Sequence, residues 1–130
     1  MGQNKRILII DDDIDLLEQL SMMLSGEGYE IETAEGQAEG EEAILATRPD
    51  LVVVDLMMEN MDSGFVLCHS CKSLYPDVPV IVLTAVTSAT GIEFSADTQE
   101  ERSWIKADAF LDKPVRPETI KHEIRKLLQT

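Results

Sequence analysis

Along the chain, short continuous runs of apolar residues alternate with longer segments in which apolar residues recur every three or four positions. A run such as LVVVD at residues 51–55 is typical of a parallel strand that is covered on both faces. The spacing of Leu16, Leu20 and Met23 instead predicts a helix with one apolar face. Strands are predicted at residues 5–10, 30–34, 51–55, 79–83 and 108–111. Helices are predicted at residues 14–27, 37–47, from about 64 onward, about 98–106 and 118–128.

The order of these elements, strand then helix throughout, is typical of an α/β protein. Short connections favour a doubly wound, five-stranded parallel sheet with right-handed crossovers and helices on both faces, a (βα)5 arrangement. The segment 86–107 is long and polar, and a capping pattern from Asp97 to Glu100 is the signal for a helix there. No repeat or linker interrupts the pattern, so we predict a single domain over residues 1–130.

The charge of the chain is strongly acidic, with 25 Asp and Glu residues against 11 Lys and Arg residues and a net charge of −14. Such a chain repels DNA phosphates and anionic lipid, so neither a nucleic acid nor a membrane is an expected partner. No stretch approaches the roughly 20 apolar residues of a membrane span. The first six residues lead directly into a strand and leave no room for a signal peptide, which predicts a cytoplasmic location.

Cys68 and Cys71 form a CxxC motif, which taken alone is compatible with redox chemistry or with zinc binding. A redox motif usually opens a helix, where the helix dipole lowers the pKa of a thiol, whereas this motif lies inside one. A zinc site needs four ligands, and His69 and His122 are the obvious further candidates. We therefore predict that both thiols pack in the core, on the apolar helix face that also carries Phe65, Leu67 and Leu74.

Polar side chains that could bind a metal ion or react with a phosphoryl group lie at the ends of four of the predicted strands. Asp11, Asp12 and Asp13 follow the first strand, Asp55 ends the third, Thr84 follows the fourth and Lys113 follows the fifth. The carboxyl ends of parallel strands meet at one edge of the sheet, so we expect these groups to lie together. Oxygen-only ligands suit Mg²⁺, and a carboxylate nucleophile can form an acyl phosphate. Asp13, next to a helix start, is the preferred candidate for a helix cap.

The motifs ILIIDDD, LVVVDLMM, VIVLTA and FLDKP resemble those of response regulator receiver domains, and the resemblance covers nearly the whole chain. It implies that Asp55 accepts a phosphoryl group. It implies that Asp11 and Asp12 are the acidic pair that binds Mg²⁺ or Mn²⁺, together with Asp55. Met57 matches the residue whose backbone carbonyl completes that metal site.

The same resemblance implies that Thr84 and Lys113 sense and hold the phosphoryl group, and that Phe110 is the switch aromatic. The phosphoryl donor is then expected to be a histidine kinase or a histidine phosphotransfer protein. The output is expected to be contact with a partner protein or an effector domain outside this chain, and the resemblance also allows a phosphorylation-dependent dimer. Such a domain is a switch rather than an enzyme, beyond reaction with acyl phosphates and slow loss of its own phosphoryl group.

The chain departs from the family pattern after the acceptor and before the last strand. Glu59 stands where the family usually has proline, and Ser63 is inserted before Gly64. The span from Thr84 to Lys113 is several residues longer than the family norm. We hypothesise that this extra length reshapes the partner surface and that Trp104 contributes to it; the alternative is that Trp104 packs against the fifth strand.

Met57 and Val86 lie two residues after Asp55 and Thr84, at positions that influence hydrolysis of the acyl phosphate in the family. Neither side chain can orient an attacking water through a hydrogen bond. The sequence therefore predicts a comparatively long-lived phosphoryl group.

Two other functions remain open. A Mg²⁺-dependent phosphatase with an aspartyl nucleophile would normally carry a second Asp two residues after the nucleophile, but that position is Met57. Asp11 and Asp13 do have that spacing, although no cap segment for substrate selection is evident. A degenerate receiver acting as a constitutive binding module is the second alternative, and the presence of all the matched site residues argues against it.

Overall fold

A computed structural model describes residues 5–55, 63–85, 107–113 and 115–128. The strands are β1 (Arg6–Ile10), β2 (Glu30–Ala34), β3 (Leu51–Asp55), β4 (Val80–Ala85) and β5 (Ala109–Lys113). The helices are α1 (Ile14–Ser25), α2 (Gln37–Ala46), α3 (Ser63–Leu74) and α4 (Pro117–Leu128). Within these ranges, no helix combines the length and the apolar content that crossing a membrane requires.

Most predicted boundaries agree with the structure to within two residues, and the differences lie mainly at β4 and β5. Thr84 was expected to follow the fourth strand, but both it and Ala85 belong to β4. β5 likewise continues to Lys113, because Thr84 and Ala85 pair with Asp112 and Lys113. The predicted helix at 98–106 and the surface role of Trp104 lie outside the described residues and stay predictions.

The five strands form one parallel sheet in the order β2-β1-β3-β4-β5, which confirms the predicted doubly wound fold. The strand order reverses between β1 and β3, since the chain moves outward in one direction to β2 and in the other direction to β4 and β5. In such a sheet the crevice at the carboxyl ends of the two strands at this switch is the usual binding position. The end of β1 and the end of β3 therefore frame the candidate site.

Successive residues of the central strands face opposite sides, and each side is covered by helices. One face carries the even-numbered residues of β1, β3 and β4, which pack against α2 and α3: Leu8, Ile10, Val52, Val54, Val80, Val82, Ile44, Leu67, Cys68 and Cys71. The other face packs against α1 and α4: Ile7, Ile9, Leu51, Val53, Ile81, Leu83, Leu17, Leu20, Leu24, Ile120 and Ile124. The two clusters explain why consecutive residues are apolar at 7–10 of β1, 51–54 of β3 and 80–83 of β4.

Two glycines lie where a larger residue would be disfavoured, one at a close helix contact and one in a turn with a positive φ. A Cβ atom at Gly40 in α2 would lie 2.9 Å from Ile10 Cδ1 and 3.1 Å from Leu67 Cδ2, so its absence allows α2 to approach both β1 and α3. Gly28, between α1 and β2, has a φ of 95°, a conformation that L side chains rarely adopt. This turn directs the chain from α1 into the edge strand β2.

The CxxC cysteines pack as predicted, but one residue of the same predicted face does not. Cys68 and Cys71 are fully buried between α3 and the sheet. Leu74, which was expected in the core, is 47% exposed, and that prediction is wrong. The next residue, Tyr75, packs against the core instead, and its hydroxyl donates a hydrogen bond of 2.8 Å to the carbonyl oxygen of Ile44.

Candidate functional site

The ends of β1 and β3 place two buried carboxylates side by side. Ile10 pairs with Val54, so Asp11 and Asp55, the next residue of each strand segment, lie at the same level of the sheet. Asp11 is completely buried, and its backbone N–H donates a hydrogen bond of 3.1 Å to the carbonyl oxygen of Ala34 at the end of β2. Asp55 is only 3% exposed. Both are therefore fixed by the sheet.

The loop from β1 to α1 is held by its own acidic residues. The backbone N–H of Asp13 donates a hydrogen bond of 2.9 Å to Oδ1 of Asp11. The side chain of Asp13 caps α1 by accepting a hydrogen bond of 3.3 Å from the backbone N–H of Leu16, which confirms the predicted capping role. This arrangement satisfies one of the otherwise unpaired N–H groups at the helix start and fixes the loop that contains Asp12.

Three carboxylates converge at this point. Asp11, Asp12 and Asp55 each contribute an oxygen atom, and these oxygens all lie within 4.8 Å of one another. Asp12 is exposed while the other two are buried, so the cluster opens to solvent on the side of Asp12. Like charges at this separation repel, and a bound cation relieves the repulsion.

The donor chemistry of the cluster fits a hard divalent cation. All three donors of this cluster are carboxylate oxygens, the ligand type that Mg²⁺ prefers. Two oxygens on one Mg²⁺ lie at most about 4.2 Å apart, twice the metal–oxygen distance, and the 4.8 Å within which these oxygens lie is close to that size. Among the residues that the structure describes, no other His, Cys, Asp or Glu joins this group. The acidic triad is able to bind a metal ion.

The remaining predicted site residues belong to the other strands. Asp55 pairs with Leu83, and Leu83 pairs with Leu111. The backbone of Thr84 therefore lies one residue beyond the level of Asp55, and the backbone of Lys113 lies two residues beyond it, at the same carboxyl edge of the sheet.

Phe110 and Met57 complete the set of predicted residues. Phe110 lies in β5, where it is partly buried and packs against the core face that is covered by α2 and α3. Met57, together with Glu59 and the rest of the loop after the acceptor, lies outside the described residues.

The comparisons with known proteins agree with this site. The sequence model of the response regulator receiver domain matches residues 7–125. The chain belongs to this family. A relative in Mycolicibacterium vanbaalenii, response regulator MprA, is 36% identical to this receiver over 124 residues, which cover 95% of the chain and 50% of the relative. The chain thus spans about half the length of the curated relatives it matches.

Solved structures of other receivers share the fold. A CheY-like receiver domain protein from Methanospirillum hungatei superposes with a TM-score of 0.82 at 28% identity, covering 98% of this chain and 95% of that one. The response regulator TrrA from Thermotoga maritima, solved in complex with Mg²⁺ and BeF, has a TM-score of 0.74 at 29% identity and covers 95% of this chain and 98% of that one.

Family, fold and site together define the type of protein. The chain is a receiver domain of a two-component response regulator, a signalling module rather than an enzyme. Its site is the acidic triad of Asp11, Asp12 and Asp55 at the switch point of the sheet.

Proposed function

We propose that Asp55 is the phosphoacceptor of this receiver and that Asp11, Asp12 and Asp55 bind Mg²⁺ or Mn²⁺ beside it. The observation that carries the proposal is the convergence of three carboxylates within 4.8 Å at the carboxyl edge of the sheet. It is also supported by the response regulator TrrA, which was solved with Mg²⁺ and BeF. The donor is a histidine kinase or a histidine phosphotransfer protein.

The reaction is a transfer of a phosphoryl group between two side chains. A carboxylate oxygen of Asp55 attacks the phosphorus atom of a phosphohistidine, and the phosphorus–nitrogen bond to the donor imidazole breaks as the oxygen–phosphorus bond forms. The imidazole leaves with the electron pair of that bond, and Asp55 becomes an acyl phosphate. A bound divalent cation would supply neutralisation of the negative charge that accumulates between the phosphoryl group and the carboxylates.

Residues on the neighbouring strands act on the phosphoryl group in this proposal. Lys113 pairs with one of its oxygens, and Thr84 donates a hydrogen bond to another. The backbone register of β4 and β5, which brings both residues to the edge that holds Asp55, supports these roles. The backbone carbonyl of Met57 would complete the metal site, and Phe110 would repack when Thr84 moves toward the new charge.

The wider function follows from this switch. We infer that residues 1–130 act as one receiver domain in the cytoplasm and that phosphorylation changes which partner protein or effector domain it contacts. A second copy of the phosphorylated chain is one such partner. Direct binding to nucleic acid by this domain is disfavoured by its net charge of −14.

The acyl phosphate should be long-lived. Neither the side chain of Met57 nor that of Val86 can orient an attacking water through a hydrogen bond. Label should be lost slowly from the purified, phosphorylated protein in the presence of Mg²⁺, and the Met57→Asn variant should lose it faster. Rapid loss from the unsubstituted protein would contradict this prediction.

Phosphotransfer from candidate histidine kinases tests the proposal as a whole. The protein and an Asp55→Ala variant are incubated with labelled kinases, with Mg²⁺ or with a chelator, and the label on each is followed over time. The Asp77→Ala variant, which removes an exposed acid after α3, is the matched control. We expect rapid, Mg²⁺-dependent labelling of the protein and of the control and none of Asp55→Ala. Equal labelling of Asp55→Ala would overturn the assignment.

A further inference from the structure

Part of the exposed surface of α2 is apolar. Gly40 and Ile44 face the core, yet Ala38, Leu45 and Ala46 are exposed on other sides of the same helix. Leu45 is 67% exposed. In α4, by contrast, the apolar residues lie on one inward face, as expected for a surface helix. The exposed surface of α2 therefore combines apolar side chains with the glutamates Glu39 and Glu42.

This apolar surface continues into a groove between α2 and α3. Ile44 forms part of the floor, Leu45 and the 47% exposed Leu74 stand on opposite walls, and Ser70 and Ser73 line the side of α3. The cavity has a volume of about 280 Å³. A second cavity of about 340 Å³ shares His69 and Ser73 with it, is also lined by Lys72, and extends the depression along α3 to Pro76.

The spacing of the two helices that form the groove is fixed. The hydroxyl of Tyr75, at the end of α3, donates a hydrogen bond of 2.8 Å to the carbonyl oxygen of Ile44 in α2. At the other end, Gly40 permits α2 to pack directly against Leu67 of α3. A preformed groove of this kind costs little conformational entropy on binding.

The charges beside the groove are acidic. Glu41 lines the groove and the exposed Glu42 follows it on α2, and neither has an ion pair with a cation in the described parts of the chain. Lys72 lines the second cavity, but its ammonium lies 2.7 Å from the carboxylate of Asp108, and Arg48 lies 3.9 Å from Asp50. The groove thus combines apolar walls with an acidic side chain on α2, while the charge of Lys72 in the adjoining cavity is balanced by Asp108.

We propose that the α2–α3 groove docks an amphipathic helix of a partner protein in which Lys or Arg residues flank an apolar stripe. The apolar stripe fills the space between Leu45 and Leu74, as in other helix-in-groove interfaces, and the flanking cations face Glu41 and Glu42. A second copy of this chain is disfavoured as the occupant, because two acidic rims would meet. This surface is distinct from the carboxylate site, so the proposal does not depend on phosphorylation.

A designed peptide tests the proposal. The probe is a labelled helical peptide of about 18 residues, long enough to form a helix, with Leu at positions i, i+4 and i+7 and Lys on either side. Binding to the full chain is followed by fluorescence anisotropy and located by NMR chemical-shift changes. We expect shifts on α2 and α3 and a loss of affinity of about tenfold or more in a Leu45→Ser, Leu74→Ser double variant.

The controls separate this surface from others. Met22→Ser removes an apolar side chain that is 78% exposed on α1 and should leave the affinity unchanged. Unchanged melting temperatures show that the variants are folded. A peptide with Glu in place of each Lys should bind much more weakly, and Glu41→Lys with Glu42→Lys should reverse that preference. Shifts confined to α1, equal binding of both peptides, or a dimer of the chain that the double variant disrupts would overturn the proposal.

Discussion

Asp13 connects the first turn of α1 to the loop that carries Asp11 and Asp12. Its side chain accepts a hydrogen bond from the backbone N–H of Leu16, and its own backbone N–H donates to Oδ1 of Asp11. The side chain and the backbone of one residue thus support the helix and the acidic triad separately. A substitution at this position tests the first of these contributions with little direct effect on the second.

Asp13→Ala should lower the free energy of unfolding by about 1 kcal/mol, the usual value for loss of a helix N-cap. Asp13→Asn or Asp13→Ser retains a capping oxygen and should recover most of the difference. Urea unfolding of the three variants and of the unsubstituted protein measures these free energies of unfolding. Equal stability of Asp13→Ala and the unsubstituted protein would show that the cap contributes nothing in solution.

The two thiols should be unreactive in the folded protein. Burial, followed by the neighbouring Cys71, raises the pKa of Cys68 to about 12, and burial raises the pKa of Cys71 to about 11. Since the thiolate is the reactive form, Ellman's reagent should label neither cysteine quickly in native protein and both after unfolding. Raising the pH through the ordinary thiol pKa of about 8.5 should accelerate native labelling little. Rapid native labelling of either thiol contradicts their packing.

At the residue scale, the sequence predicted which acidic residues come together in the site better than it predicted which apolar residues lie in the core. The acids that follow β1 and β3 were predicted to meet because parallel strands share one carboxyl edge, and they do. Leu74 was misplaced because helical spacing alone cannot show that Tyr75, one residue later, fills the adjacent space and bonds to α2. That outcome depends on where α2 lies, which no local pattern contains.

At the level of elements, α4 is tied to the turn after α1 by one acid and two cations. Glu27 interacts with Arg125 through a hydrogen-bonded ion pair and with Lys121 at 3.4 Å. The hydrogen bond from Arg125 and then the charge of Lys121 hold the pKa of Glu27 below its ordinary value of 4.5. At neutral pH, Glu27 is ionised both in the folded and in the unfolded chain. At this pH the two ion pairs stabilise the folded state.

The stabilisation by Glu27 should be present above about pH 4.5 and be lost as the pH falls through its lowered folded pKa. The difference in the free energy of unfolding between the unsubstituted protein and Glu27→Gln should therefore vanish in acid and shrink in high salt. Glu42→Gln, which removes an exposed glutamate on α2, serves as the control. A difference that grows on acidification would contradict this assignment.

The helices and strands were largely predictable, and the errors at the ends of β4 and β5 have one cause. Apolar runs located all five strands, but they ended at Leu83 and Leu111, whereas β4 and β5 continue through two more residues each. Hydrogen bonding between neighbouring strands extends the ladder past the apolar run, and this pairing is a property of the sheet rather than of either segment. The predicted helix over 98–106 stays a prediction.

At the level of the whole molecule, the switch in strand order between β1 and β3 determines where the chemistry can occur. It brings the two buried acids to one level of the sheet and leaves Asp12 at the solvent opening. The fold could be predicted from the alternation of elements, and the family from its motifs. The distances between the acidic side chains of the site could not be predicted, because these distances depend on the register of strands that are far apart in sequence.

The central claim is that the acidic triad binds a divalent cation and that Asp55 is phosphorylated beside it. Incubation of the purified protein with acetyl phosphate, followed by intact-mass and peptide mass spectrometry, tests it most directly. We expect the mass of one phosphoryl group to be added at Asp55 when Mg²⁺ is present, little addition with a chelator, and a strong decrease in Asp12→Ala. Phosphorylation at another residue, or at Asp55 without any dependence on Mg²⁺ or on Asp12, would contradict the account.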